Sequence, residues 1–213
     1  MWIEGWGLTN KNKKSKGRKQ VKDFERFLKD IEPYVKNPKC LYNGRNFGNF
    51  SQRPRECLAN WLLCVILRFI HGEKITFGDD DSDGIILDKE SGKWIRVEHV
   101  SALRSNPCGH ECKKGEDCVI DAINRKINKG PDYAANKNLI VFFDGAGQYN
   151  RSKIRQDIAG KHNFQLIYCI ALLTADKNGY AYAVTELHEK DSITFKVQIN
   201  ADFTDWEVSQ ITE

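Results

Sequence analysis

The chain has 213 residues, 40% of them hydrophobic and 29% charged, with a formal net charge of +4. That length can bury a substantial core, a single α/β domain is the starting assumption, and the composition is ordinary for a soluble protein. No apolar stretch approaches the ~20 residues that span a bilayer, the first residues lack the order of a secretory signal, and the seven cysteines cannot all pair within the chain. Neither a membrane protein nor a disulfide-built secreted protein is expected, but a cytoplasmic protein with reduced thiols.

Residues 1–22 read as a basic arm. Lys11, Lys13, Lys14, Lys16, Arg18, Lys19 and Lys22 follow one another with no acid between them. Such a run neutralises phosphates and releases their counterions, so Lys13, Lys14, Lys16, Arg18 and Lys19 are candidate nucleic-acid contacts. A solvated arm without a partner is the plainer reading. Residues 23–213 are expected to form a single domain.

That domain opens with "VKDFERFLKDIEPYV", where Val21, Phe24, Phe27, Leu28 and Ile31 recur at helical spacing and Pro33 closes the segment. After a loop rich in Asn and Gly, "RPRECLANWLLCVILRFIHG" has Pro54 near its first turn and Gly72 just past its end, the usual order of helix start and stop. From Ile75 the texture turns to strands, expected near 74–77, 83–88, 93–101, 138–143, 164–172, 180–187 and 193–199, with helices near 116–129 and 150–159. Asn178-Gly179 lies between two apolar runs and signals a hairpin. The order predicts a mixed central β-sheet flanked by helices.

Residues 79–90 place Asp79, Asp81, Asp83, Gly84 and Glu90 at the ligand and turn positions of an EF-hand calcium loop. That loop works only between helices, which hold its ligands convergent. Here "ITF" precedes it and "WIRVEHV" follows, both strand-forming, so the calcium reading is disfavoured.

If 83–88 and 93–101 are strands, Lys89 to Gly92 make a four-residue hairpin loop. Asp88 then faces Lys93, Ile85 faces Arg96, and Asp83 faces Glu98. Directly opposed residues have Cβ atoms roughly 4.5–5.5 Å apart on one face. Two carboxylates that close repel unless a divalent cation lies between them, and Mg²⁺ takes one or two carboxylates with water and phosphate completing its octahedron. An acidic turn beside a Glu98 paired with Arg96 is the plain alternative.

An acid heading one strand, a hairpin, and a second acid on the next strand resembles the PD-(D/E)XK nucleases, the restriction-endonuclease-like fold. The resemblance covers about Arg53 to Leu173, through helix, three-stranded meander, helix and strand. It implies Asp83 in "SDG" and Glu98 in "VEHV" as metal ligands, with the backbone carbonyl of His99 as a third, and Glu56 in "RECLANW" as the acid many members carry on the preceding helix. Where the family has its lysine, two residues after the second acid, this chain has Val100. Some members move the lysine to the next helix, and "DCVIDAINRKINKG" offers two. At about 100° per residue, Lys126 lies on the edge of the face formed by Val119, Ala122 and Ile123, with Lys129 about 60° further round. Lys126 is thus the candidate cation for transition-state charge, against the ordinary reading of a solvated helix-flank lysine.

Outside this set, Cys108, His110, Cys112 and Cys118 fall within eleven residues and are candidate ligands of a structural Zn²⁺, although the spacing lacks two CxxC knuckles. His99 should point away from Glu98, because strand neighbours face opposite ways. Asp144, at the end of an apolar strand, and His162 have no partner evident in the sequence. The expectation is a Mg²⁺- or Mn²⁺-dependent endonuclease acting on DNA, for which the family resemblance implies a restriction or phage-defence role, with a homodimer left open. A catalytically inactive nucleic-acid-binding protein on the same fold and a zinc-stabilised interaction module are the rivals.

Overall fold

The computed structural model describes residues 19–43, 45–79, 83–103, 114–144 and 148–211. Their order is α1 (Phe24–Val35), α2 (Pro38–Asn43), α3 (Pro54–His71), β1 (Ile75–Gly78), β2 (Ile85–Asp88), β3 (Trp94–Leu103), α4 (Gly115–Ile127), α5 (Pro131–Ala134), β4 (Lys137–Asp144), α6 (Arg151–Ile158), β5 (Ile167–Asp176), β6 (Gly179–Leu187), β7 (Ser192–Ile199) and β8 (Trp206–Ile211). The eight strands form one mixed sheet in chain order. Pairing is antiparallel through β1-β2-β3, parallel through β3-β4-β5 and antiparallel from β5 to β8. Parallel neighbours need long crossovers, and the chain has helices at both such steps, α4 with α5 and then α6.

Two hydrophobic cores lie on the two faces of this sheet. Leu58, Trp61 and Leu62 of α3 join Phe27, Leu28 and Ile31 of α1 and sheet residues such as Ile86, Ile140 and Val184. On the other face Val119, Ala122 and Ile123 of α4 and Ile154 and Ile158 of α6 meet Leu139, Val141 and Ile167. In α1 the apolar stripe follows the expected spacing, with Asp23 capping the start through the Arg26 N–H at 2.8 Å. The helix does not stop at Pro33 but runs to Val35, because Pro33 removes one N–H donor while Val35 extends the buried stripe from Ile31.

α3 is buried nearly all round, and the shape of the sheet explains it. Eight flat strands would hold β1 and β8 about 34 Å apart. An 18-residue helix is about 27 Å long, yet α3 touches both edge strands. The sheet therefore curls around α3, which packs Trp61 edge-to-face against Trp206 of β8 at 5.1 Å and gives the Ile75 carbonyl of β1 the Arg68 Nε–H at 2.7 Å.

The β2–β3 hairpin has the expected register. Ile85 faces Arg96, Leu87 faces Trp94, and the Asp88 N–H bonds the Lys93 carbonyl at 2.9 Å. Regular β2 begins at Ile85, so Asp83 stands two residues before it. Three elements lie where sequence periodicity indicated none: α2 and α5, too short to show a period, and β8, whose "WEVSQI" is half-exposed. Gln20 and Val21, placed in the arm by composition, pair with β1 instead: the Val21 N–H bonds the Phe77 carbonyl at 3.0 Å, and Gln20 bridges Gly78. Among the described residues no helix is long and apolar enough to cross a membrane.

Candidate active site

At the start of β2 the chain must turn sharply, and Gly84 makes the turn with φ +138°, a conformation other residues rarely adopt. An added Cβ there would strike the Asn60 amide of α3. Asn60 in turn holds the turn in place, because its Nδ2 donates to the Asp83 carbonyl at 3.1 Å and to Gln52 Oε1 at 2.8 Å. Gln52 Nε2 donates on to the Gly78 carbonyl at 2.9 Å. The Asp83 carboxylate is fixed from β3, where the His99 N–H donates to Oδ2 at 2.8 Å. A strand residue's N–H and C=O point to the same side, so the His99 carbonyl faces the edge where Asp83 stands.

Glu98 lies on the α4 face of the sheet. Lys126 Nζ reaches from α4 to Glu98 Oε2 at 3.1 Å and to Asp83 Oδ2 at 3.9 Å. The Lys126 side chain is only 12% exposed, which is not the state of a solvated flank lysine. Lys137, the first residue of β4, donates to Glu98 Oε1 at 2.9 Å, and the Tyr133 hydroxyl of α5 donates to Oε2. Tyr133 also accepts from Lys126 at 3.0 Å, and its ring lies 4.5 Å from Lys129 Nζ and 4.2 Å from Lys137 Nζ. Burial works to raise the Glu98 carboxyl, but hydrogen bonds from Tyr133 and Lys137 and the charge of Lys126 hold it below the usual carboxylate range. Glu98 is thus an ionised carboxylate under a roof of cations.

His99 turns to the opposite face, where Nε2 meets Asn60 Oδ1 at 3.0 Å. Burial, with the charges of Arg55 and Lys126, lowers its basicity to about 3, so it stays neutral. Glu56 lies at the first turn of α3, accepting the Arg53 N–H at 2.8 Å. Burial raises its carboxyl, and the negative charge of Asp83 adds to the effect. Glu56 therefore senses the site electrostatically while its own bonds cap the helix.

Asp79 and Glu90 do not converge as calcium ligands, in line with the disfavoured calcium reading. Asp79 is held by the Ser51 N–H at 2.6 Å and Glu90 by Lys74 at 3.1 Å, and they stand at opposite ends of β2 with strands on both sides. Among the described residues no three His, Cys, Asp or Glu side chains converge as a metal cage. Cys108, His110 and Cys112 lie outside the described residues, while Cys118 is buried on the sheet-facing side of α4. Lys13, Lys14, Lys16 and Arg18 also lie outside them. Lys19 lies beside β1, its Nζ donating to the Asn49 carbonyl.

Lys137 and Tyr133 are the members of this cluster that sequence reasoning missed. Lys137 shares a face with Leu139, which pairs with Glu98, but the register of a parallel pair is not fixed by any turn. Tyr133 sits in a single helical turn between Pro131 and Ala134, too short for a periodic signal. No protein-family model, curated protein or solved structure matches the chain.

Proposed function

We propose that this chain is a metal-dependent nuclease that hydrolyses phosphodiester bonds, DNA being the expected substrate, on a restriction-endonuclease-like core. The observation that carries the reading is the Lys126 ammonium, brought from α4 to both Asp83 and Glu98 in a chain whose β3 has Val100 where that family keeps lysine. The succession of α3, the β1-β2-β3 meander, α4 and a β4 parallel to β3 supports the core.

The donor set fits Mg²⁺ or Mn²⁺. Asp83 and Glu98 offer carboxylate oxygens, the His99 carbonyl faces the same edge, and Asp83 Oδ1 has no hydrogen-bond partner among the described residues. When bound, such a cation supplies a polarised phosphate and a water of lowered pKa. The chain's own residues do the rest. Lys126 places a positive charge where negative charge grows on the phosphoryl oxygens, and Tyr133 and Lys137 hold Glu98 ionised and in one orientation. Lys129 and Lys137, stacked on Tyr133, add cations that attract a phosphate backbone.

One observation favours the inactive binder: Glu98 already accepts from Lys126, Lys137 and Tyr133, so a metal must share a carboxylate with three donors. Cleavage of plasmid DNA and single-stranded RNA in Mg²⁺ or Mn²⁺ separates the two. Nuclease activity abolished by both Asp83→Ala and Glu98→Ala supports the enzyme. DNA bound equally by wild type and both variants, with no cutting, leaves a binding protein.

A further inference from the structure

We propose that a cavity between the last turns of α3 and the β5–β8 half of the sheet binds a small organic cation, an amine carried on a flat apolar body. The cavity measures about 350 Å³, within the size of ligand pockets, which run from about 300 to 1,000 Å³. It is separate from the carboxylate site. In the row His99, Ile140, Tyr168, Glu186, its two polar residues lie on the face opposite Glu98, and Glu186 is about 14 Å from His99 across three strand spacings.

The walls are Leu67, Leu166, Ile193 and Phe195, and at the mouth Phe69 is 58% exposed, an unusual state for so large an apolar side chain. Among these apolar groups stand Tyr168 and Glu186, register partners and therefore neighbours on one face. The Glu186 side chain is only 7% exposed, and its sole hydrogen-bond partner among the described residues is His188 Nε2, at 3.4 Å. Tyr168 is likewise buried. A buried carboxylate whose one partner is a long contact to the His188 imidazole is costly, and an ammonium entering the cavity would relieve it while its apolar body covers Phe69 and Phe195. Burial also lowers the basicity of His71, at the same cavity, so that imidazole does not serve as the missing cation at neutral pH. The charge selects an amine over an acid, and the walls select rings over a bare ion.

Calorimetric titration of the full chain with tryptamine, and with indole-3-propionate as the same body bearing the opposite charge, tests this. Tryptamine is expected to bind with Kd on the order of 1 mM or tighter and at least tenfold better than the acid. Glu186→Gln should remove that preference and weaken tryptamine at least tenfold. Should that variant unfold, Ile193→Trp, which fills the cavity from its wall, should abolish binding in a chain that keeps its carboxylate. No binding of tryptamine by wild type, or equal binding of both ligands regardless of Glu186, overturns the proposal. So does self-association that Phe69→Asp abolishes in a protein that ignores the amine, which would make the cavity a contact between copies.

Discussion

At the scale of single residues, one carboxylate and one imidazole on adjacent positions of β3 are driven to opposite states. Glu98 is held charged by the donors around it, whereas His99, one position on and across the sheet, is held neutral by burial. The imidazole has a consequence for stability. Its folded value, about 3, lies below the ordinary 6.5, so between these values the unfolded chain binds more protons. Its contribution is complete above 6.5 and is lost as pH falls through that window. Denaturant unfolding at pH 7.5 and pH 5 should show about 2 kcal/mol lost from this group alone, and His99→Gln should lose less by that amount. An unchanged pH dependence in the variant would show that His99 takes up its proton as readily in the fold as in the unfolded chain. Lys126 was legible in the sequence because a helix fixes angular position, and a lysine three and four residues after Ile123 and Ala122 lies at the flank of their face. Lys137 was not, since its meeting with Glu98 depends on a crossover.

At the scale of elements, the site depends on one joint: α3 gripping the turn before β2. Asn60 bonds Asp83, Gln52 and His99 at once, so the helix sets both the start of β2 and the far face of β3. Gly84→Ala breaks this joint twice, through its left-handed backbone and through the collision with Asn60. It should cost about 1–3 kcal/mol in thermal or denaturant unfolding, with loss of cleavage in the fraction that still folds. Wild-type activity in that variant would mean that the turn does not position Asp83. The hairpin itself was readable because a four-residue loop fixes antiparallel register, and one fixed pair, Asp88 with Lys93, dictates the rest down to Glu98. β8 was not readable, because an edge strand packed on one side has weak alternation, and its main anchor, Trp206 against Trp61, joins residues far apart in the chain.

At the scale of the whole molecule, the curled sheet divides labour between its faces. The α3 face holds most of the buried aromatic mass, while the α4 face carries Glu98 with the cations Lys126 and Lys137. The proposed nuclease function assigns the basic run Lys11 to Lys22 a sequence-independent attraction for phosphate. Five of its basic residues, Lys11, Lys13, Lys14, Lys16 and Arg18, precede the described body. Deleting residues 1–18 should flatten the dependence of log affinity for duplex DNA on log salt by about 4.5 if all five contact phosphates. An unchanged slope would show an arm without a nucleic-acid partner.

The proposed nuclease requires that Lys126 act with Asp83 and Glu98 on one reaction. Single-turnover DNA cleavage and Mn²⁺ titration of Lys126→Met test it together. Metal binding should survive while cleavage falls about 10²–10³-fold, the usual loss when one preorganised transition-state donor is removed. Cleavage at the wild-type rate in Lys126→Met would contradict it.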